Sequence, residues 1–479
     1  MLEQAKKSPA TSLPTAEAEL ALRMKRAQRH RLLHGYPMAP LLQYDFSERP
    51  WSALALDATR PLLVGVLPHP FCNPQLRGCG FCTFPHEKHS NEAARAVVAR
   101  VVREIEHVAE RLPELPERSV HALYFGGGTA NLTPPESFQA LASTLERTFD
   151  LRAAEISFEG VARYFLTRNE ALLDVLSGMN VRHRRLSIGI QTFAPEWLAR
   201  MGRSAFGTEE HFTALVRTAH ARGMTISCDL LFNLPGQSPS EALADVERAA
   251  ELGFDQICIY NLVLDPSIDS AWASDRSLLS RVVPPEKGCD RWLVLRERLR
   301  LLGYVQTTLT NFERADVAAS DRPFLYERAS FDPARYDAVG FGPGAISTLT
   351  APAEQHAIKW MNEGSSAEYL ALIDERGGAC VRSFDYDPHD LRLLHITRSL
   401  SALAIPRAKY RAFFGTDVAQ DFPDIVDAAC GASLVERAGD DLALTPRGMF
   451  YADAVAGLFA WRRTRRLRDA NDSIRHAMG

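Results

Sequence analysis

The stretch 61-PLLVGVLPHPFCNPQLRGCGFCTFPHEKH-89 joins an apolar run, 61–67, to three cysteines, Cys72, Cys79 and Cys82, set among glycine and proline breakers. The run reads as a buried strand, so the cysteine loop hangs from its C-terminal end. The other five cysteines, Cys228, Cys258, Cys289, Cys380 and Cys430, are scattered singly among apolar neighbours. In a reducing compartment they read as small core residues. The crowding at 72–82 is the exception.

Outward from this stretch, strands and helices trade places. A helical pattern over 93–112 is followed by a strand over 119–127 and a helix over 134–149. Further strands read at 154–160, 184–193, 224–235 and 255–264, each after a stretch with helical spacing of apolar residues. Six short apolar strands separated by helices predict an α/β chain built on a partial (β/α)6, TIM-like barrel. In that architecture ligand-bearing residues belong at the C-terminal ends of the strands.

The flanks differ from this core. Residues 1–55 form an N-terminal extension, with a basic helical piece at 21–33 and a turn region around Pro37, Pro40 and Pro50, and read as an appendage. Residues 56–350 hold the barrel and the segment after it. Residues 351–479 change rhythm to helices with one hairpin, 433-SLVERAGDDLALT-445, which predicts a mainly helical, winged-helix-like C-terminal domain. A length of 479 residues suits two or three domains.

Fifty-five basic and 59 acidic side chains leave a net charge of −4. Nothing in that balance steers the chain towards nucleic acid or anionic lipid. The basic run 462-RRTRRLR-468 on a winged-helix-like unit would be the one argument for DNA, and a short terminal basic run is ordinarily a solvated one. The first 20 residues lack the apolar core of a signal peptide, and no apolar run is long enough to cross a bilayer. A cytoplasmic protein, with no membrane partner, is the expectation.

Three thiols so close have more than one reading. A disulfide would leave one unpaired. A structural zinc needs a fourth ligand, for which His69, His86 or His89 could serve. An iron–sulfur cluster held by three thiolates keeps one iron open to bind something else. Position favours the last, because the loop lies over the barrel mouth.

Other residues converge on that mouth. The 126-GGGT-129 run ends the second strand, and glycines let backbone N–H groups approach a ligand without interference from a Cβ. Glu159 ends the third strand, Gln191 the fourth; Arg203 follows twelve residues later and Asp229 lies within the fifth. Charged groups in apolar strands are costly unless paired or used, so a polar ligand in the barrel is expected.

These motifs resemble the radical S-adenosylmethionine (SAM) enzymes of the oxygen-independent coproporphyrinogen III oxidase (HemN-like) type, a group that includes haem chaperones and class C methyltransferases. The resemblance runs from about Pro61 to Ala460, through 70-PFC-72, 81-FC-82, 124-YFGGGT-129, 187-SIGIQTF-193, 229-DLLFNLPGQ-237, 303-GYVQTTLTNFER-314, 340-GFGPGAIS-347 and 444-LTPRG-448. It implies that Cys72, Cys79 and Cys82 ligate a 4Fe-4S cluster. It implies also that Gly127, Gly128, Thr129, Glu159, Gln191, Arg203 and Asp229 contact SAM, and that Ala345 and Ile346 flank a second SAM where two bind. A small-molecule substrate, and an electron donor such as flavodoxin or ferredoxin, follow from the same resemblance. The C-terminal domain is then the one that closes over the barrel mouth.

The chain departs from the family pattern in places. Six residues, NPQLRG, separate the first two cysteines where the family has three, and Val66 and Pro68 stand where a Tyr-x-His is usual, with His69 one place off. Ala130 replaces a common proline and Asn233 a glycine. Of the His-Asn-x-x-Tyr-Trp motif of haem chaperones, 356-HAIKWM-361 keeps only His356, and Trp360 reads as a core aromatic. The expectation is therefore a specialised HemN-like enzyme, a class C methyltransferase or cyclopropanase, with a coproporphyrinogen oxidase-like enzyme or a haem chaperone as the alternative.

Overall fold

The computed structural model describes residues 14–29, 35–45, 57–72, 79–83 and 87–470. The expected strands form as β1 (Leu62–Val66), β2 (Val120–Phe125), β3 (Glu155–Gly160), β4 (His183–Gln191), β5 (Thr225–Phe232) and β6 (Gln256–Asn261). They lie side by side in chain order, every neighbouring pair parallel. Most of their residues are buried on both faces, as a parallel sheet covered by helices requires. The partial (β/α)6 barrel is present.

The first crossover helix, α1 (Asn91–Arg111), shows how pattern becomes packing. Ser90 caps it by accepting from Ala93 N–H, and Ala94, Val97, Val98, Val101, Ile105 and Val108 recur every three or four residues as its buried stripe. Glu104 lies in that stripe, fully buried. It accepts from Gly342 N–H at 2.8 Å, Asn362 Nδ2 at 2.7 Å and the Tyr369 hydroxyl at 2.7 Å. Burial nevertheless pushes its carboxyl up to about 7.

The sheet extends beyond the six strands on both sides. Past β6 come β8 (Asn311–Arg314) and β7 (Tyr304–Gln306), both antiparallel. On the other side β9 (Asp337–Phe341) pairs parallel with β1 and is followed by antiparallel β10 (Ile346–Ala351), β11 (His356–Asn362) and β12 (Cys380–Tyr386). The β10–β11 hairpin straddles residue 350, so the sheet runs on to Tyr386, past the point where the sequence rhythm changes. Short antiparallel strands with Lys359, Asn362 and Arg382 among their residues lack the unbroken apolar runs that mark β1–β6.

Beyond the sheet, helices Pro388–Ser401, Arg407–Phe414, Pro423–Gly431 and Ala452–Ala470 pack around three short strands, Ala404–Ile405, Val435–Ala438 and Asp441–Leu444. The last two are the expected hairpin. The described part of the N-terminal extension is no loose appendage. Helix Ala16–Met24 packs on Ala452–Ala470, Gln43–Tyr44 adds a strand to β12, and the buried Lys359 ammonium donates to the carbonyls of Gly35 and Pro37. No helix among the described residues is long and apolar enough to cross a membrane.

Candidate active site

At the C-terminal ends of β2 to β5 a cleft of about 210 Å³ is lined by Cys72, Cys79, Cys82, Gly127, Gly128, Thr129, Glu159, Gln191, Arg203 and Asp229. Ten residues spread over 158 positions of sequence thus share one cavity, and all ten are residues the sequence singles out. Parallel register does this, since it places every strand's C-terminal end on the same side. The three thiols are half-buried and none is bonded to another.

The glycines are explained by close approach. Gly127 has φ +120°, a conformation that disfavours any side chain. A Cβ on Gly128 would lie 2.5 Å from the Phe71 carbonyl oxygen and 2.8 Å from that of Pro70. Thr129 N–H donates to the same Phe71 carbonyl at 3.0 Å, and Thr129 Oγ1 is 3.3 Å from Cys72 Sγ. The GGGT turn is therefore laid directly along the backbone that carries the first cysteine.

Strand β4 supplies the opposite wall. Its pairing with β5 shifts between Gly189 and Gln191, and Gln191 has φ +77°. Such a bulge ends the ladder and re-aims the side chain. Arg203, on the loop beyond, donates to the Gly189 carbonyl and, through Nη1, to Cys79 Sγ at 3.0 Å. Its guanidinium also lies 4.6 Å from the centre of the Phe206 ring. The guanidinium thus stands as a fixed cation beside one of the three thiols.

Glu159 is hydrogen-bonded by the Tyr124 hydroxyl, whose acidity is suppressed first by burial and then by that carboxylate. Asp229 stands level with Gly189 on one side and Cys258 on the other. Both carboxylates also border a second cavity of about 190 Å³ deeper in the barrel, closed below by Phe324, Tyr326 and Phe331.

The remaining expectations fall elsewhere. Ala345 and Ile346 do not line this cleft. They lie at the same rim with β9 and β1 between them and β2, because β9 runs parallel to β1 and β10 turns back from its end. Ala345 is buried, whereas Ile346 keeps 43% of its surface exposed. His69 is buried, its imidazole pushed down to about 3 by burial, and stacks on Phe71 at 5.4 Å without reaching the cleft. His89 borders a neighbouring cavity, and His86 lies outside the described residues. Trp360 is fully buried, the core aromatic its setting predicts.

The sequence reading missed Ser187, Gly189, Phe81 and Phe206, which also line the cleft. Two of them were within reach. A strand's side chains alternate, so choosing Gln191 implies Gly189 and Ser187 on the same face.

Among the described residues no three His, Cys, Asp or Glu groups converge on one point as a single zinc ion demands. Three thiols spread around a cleft, a cation against one of them and a glycine turn with no Cβ facing in suit a larger group. A 4Fe-4S cluster with SAM beside it fits this donor set.

Residues 66–266, from the end of β1 to just past β6, match the radical SAM superfamily. The oxygen-independent coproporphyrinogen III oxidase of Escherichia coli (strain K12) is 29% identical over 379 residues, covering 76% of this chain and 77% of that protein. The anaerobilin synthase of Escherichia coli O157:H7 is 32% identical over 300 residues, 61% of each chain. The solved structure of the coproporphyrinogen III oxidase HemN from Escherichia coli superposes with a TM-score of 0.73 at 22% identity, over 92% of this chain and 98% of that one, and so shares the fold. Residues 66–266 thus carry the radical SAM match, and the chain around them is similar to HemN-like proteins in sequence and in fold. Enzymes of this superfamily use a 4Fe-4S cluster and SAM.

Proposed function

We propose that Cys72, Cys79 and Cys82 hold the cluster and that SAM lies against Gly127, Gly128, Thr129, Glu159, Gln191, Arg203 and Asp229. When bound, the reduced cluster supplies the electron that splits SAM into methionine and a 5′-deoxyadenosyl radical. The protein's part is positioning. Arg203 fixes Cys79 and offsets thiolate charge, the backbone of Gly127 and Gly128 presents N–H groups to a carboxylate or amine, and Glu159 and Asp229 accept from ligand donors. Phe81, Val161 and Phe206 keep water from the reacting atoms.

Among reactions open to a HemN-like enzyme we assign methyl transfer or cyclopropanation on a small unsaturated substrate, as in class C enzymes. The observation that carries this reading is Ile346, an exposed apolar side chain on the same rim as the GGGT turn, with strands β9 and β1 between them. An exposed isoleucine there offers a surface for a second SAM or an apolar substrate. Likeness to the coproporphyrinogen oxidase over 76% of this chain favours porphyrinogen decarboxylation as the second reading. A haem carrier is less favoured. His356 starts β11 opposite Ala351, at the end of the hairpin away from the rim, and sits 3.5 Å from Asp385.

Stoichiometry tests the assignment. With the reconstituted, dithionite-reduced enzyme and its substrate, labelled SAM should yield 5′-deoxyadenosine and S-adenosylhomocysteine in equal amounts, with the methyl carbon in the product. Carbon dioxide from coproporphyrinogen III without S-adenosylhomocysteine would replace methyl transfer by the oxidase reading.

A further inference from the structure

The cleft just described is the substrate's entrance, yet the cluster must also receive an electron from outside. Behind Cys72, on the outer wall of the barrel, lies a separate cavity of about 250 Å³ bordered by His89, Asn131, Thr133, Tyr164 and Arg168. Adjacent residues line the two cavities, Ala130 the cleft and Asn131 the outer one. Cys72 pairs in a short parallel ladder with Lys88, so Lys88 and His89 run beside it. The His89 ring stands 6.3 Å from that of Phe71, the residue before Cys72. Tyr164 is near enough to feel the Cys72 charge, after burial the next largest influence on its acidity, and its ring meets the cleft-lining Phe206 at 6.4 Å. Asn131 bonds both N–H and C=O of Val161 and completes the wall next to Ala130.

Arg168 borders this outer cavity, and Arg163 and Lys88 are the residues before its lining Tyr164 and His89. Lys88, Arg163 and Arg168 are exposed, and none forms an ion pair among the described residues. Of the acids nearby in sequence, Glu87 accepts from Ser366, Glu136 pairs with Arg95 and Glu170 pairs with Arg222, while Glu92 stands exposed in the first turn of α1. Arg168, Asn169 and Glu170 all have positive φ, from +52° to +59°. Three consecutive left-handed residues other than glycine carry strain that surrounding structure has to hold, and here the strained segment projects Arg168 at the rim.

We propose that this outer face is the electron-entry port, where a small acidic one-electron carrier protein docks against Lys88, Arg163 and Arg168 and reduces the cluster through the wall at Cys72. The carrier gives up one electron and the cluster gains it, with no atom transferred. A port on this side leaves the substrate cleft free to be closed during reduction. Charge complementarity of this kind sets encounter rate and orientation and weakens with salt. The inference rests on the cluster assignment above, and its test separates the two.

Reduced flavodoxin is the probe. Binding to the iron-free chain, measured by calorimetry at low and high salt, should weaken by about tenfold or more in the double variant Arg163→Glu/Arg168→Glu and lose most of its salt dependence. Reduction of the reconstituted cluster by dithionite, followed by electron paramagnetic resonance, should stay at the parent rate while reduction by flavodoxin falls. Unchanged flavodoxin affinity would overturn the port, as would an equal loss on reversing Arg300 on a distant helix. If dithionite itself fails to reduce a cluster in the parent protein, it is the cluster assignment that fails.

Discussion

The two ends of the barrel use the same kinds of side chain to opposite effect. At the N-terminal end, Asp337 on β9 accepts from Arg60 Nε at 3.1 Å and Nη2 at 2.9 Å, from Arg118 Nη2 at 2.6 Å and from Thr350 N–H at 3.0 Å. All three charged groups are buried. Arg60 also donates to the carbonyls of Pro333, Ala334 and Tyr336. At the C-terminal end, Arg203 has for partners a thiol, a backbone carbonyl and an aromatic face. A saturated carboxylate has no bonding capacity left for a ligand, whereas a cation held on neutral groups beside a cleft keeps its charge available. Polar residues inside an apolar barrel are therefore saturated by one another at one end and left with capacity for a ligand at the other, and partners distinguish them where residue type cannot.

Removing one charge at the saturated end should have the largest effect. Asp337→Asn leaves two buried guanidinium groups without a carboxylate, and breaking such a pair costs roughly 3–5 kcal/mol. Urea denaturation should read that loss, while the SAM affinity of the folded fraction stays at the parent value. A fall in SAM affinity with unchanged stability would erase the contrast between the two ends.

Glu104 sharpens the comparison from the side wall. Its folded pKa, about 7, is raised above the unfolded carboxylate value. The protonated form is the one that folding favours, so its contribution is full below the unfolded pKa, near 4.3, and is lost as pH rises to about 7. Relative to Glu104→Gln, the parent should lose up to about 3 kcal/mol between those limits. Parallel stability curves for the two proteins across that window would show that Glu104 is ionised on folding at no cost.

The smallest effect belongs to the functional end. Arg203→Lys keeps the charge but loses the planar fork that spans Gly189 and Cys79, so SAM should bind about tenfold more weakly, with stability altered by less than about 1 kcal/mol. Equilibrium dialysis of the reconstituted protein measures the first and thermal unfolding the second. A drop in stability comparable to that of Asp337→Asn would make Arg203 a structural residue.

Much of the site was legible because it obeys local rules. Apolar runs marked β1 to β6, strand-end positions picked out Glu159 and Gln191, and a charge within an apolar strand picked out Asp229. Ser187 and Gly189 were equally available from the period of two and were overlooked in favour of charged neighbours. Ala345 and Ile346 were placed by family likeness, and the structure puts them on the same rim but outside the cleft.

By itself, then, the sequence determined the alternation of strand and helix, the thiol loop after β1 and the residues at strand ends, since each depends on periodicity or spacing within a few turns of chain. Tertiary structure alone decided which of these meet. Arg203 reaches Cys79 across 124 positions, Gly128 lies against the Phe71 carbonyl, and Gln43–Tyr44 pairs with β12 more than 300 residues away. Such contacts follow from sheet order and register, which are settled by burying all faces of the sheet at once and leave no periodic trace in the residues that come together.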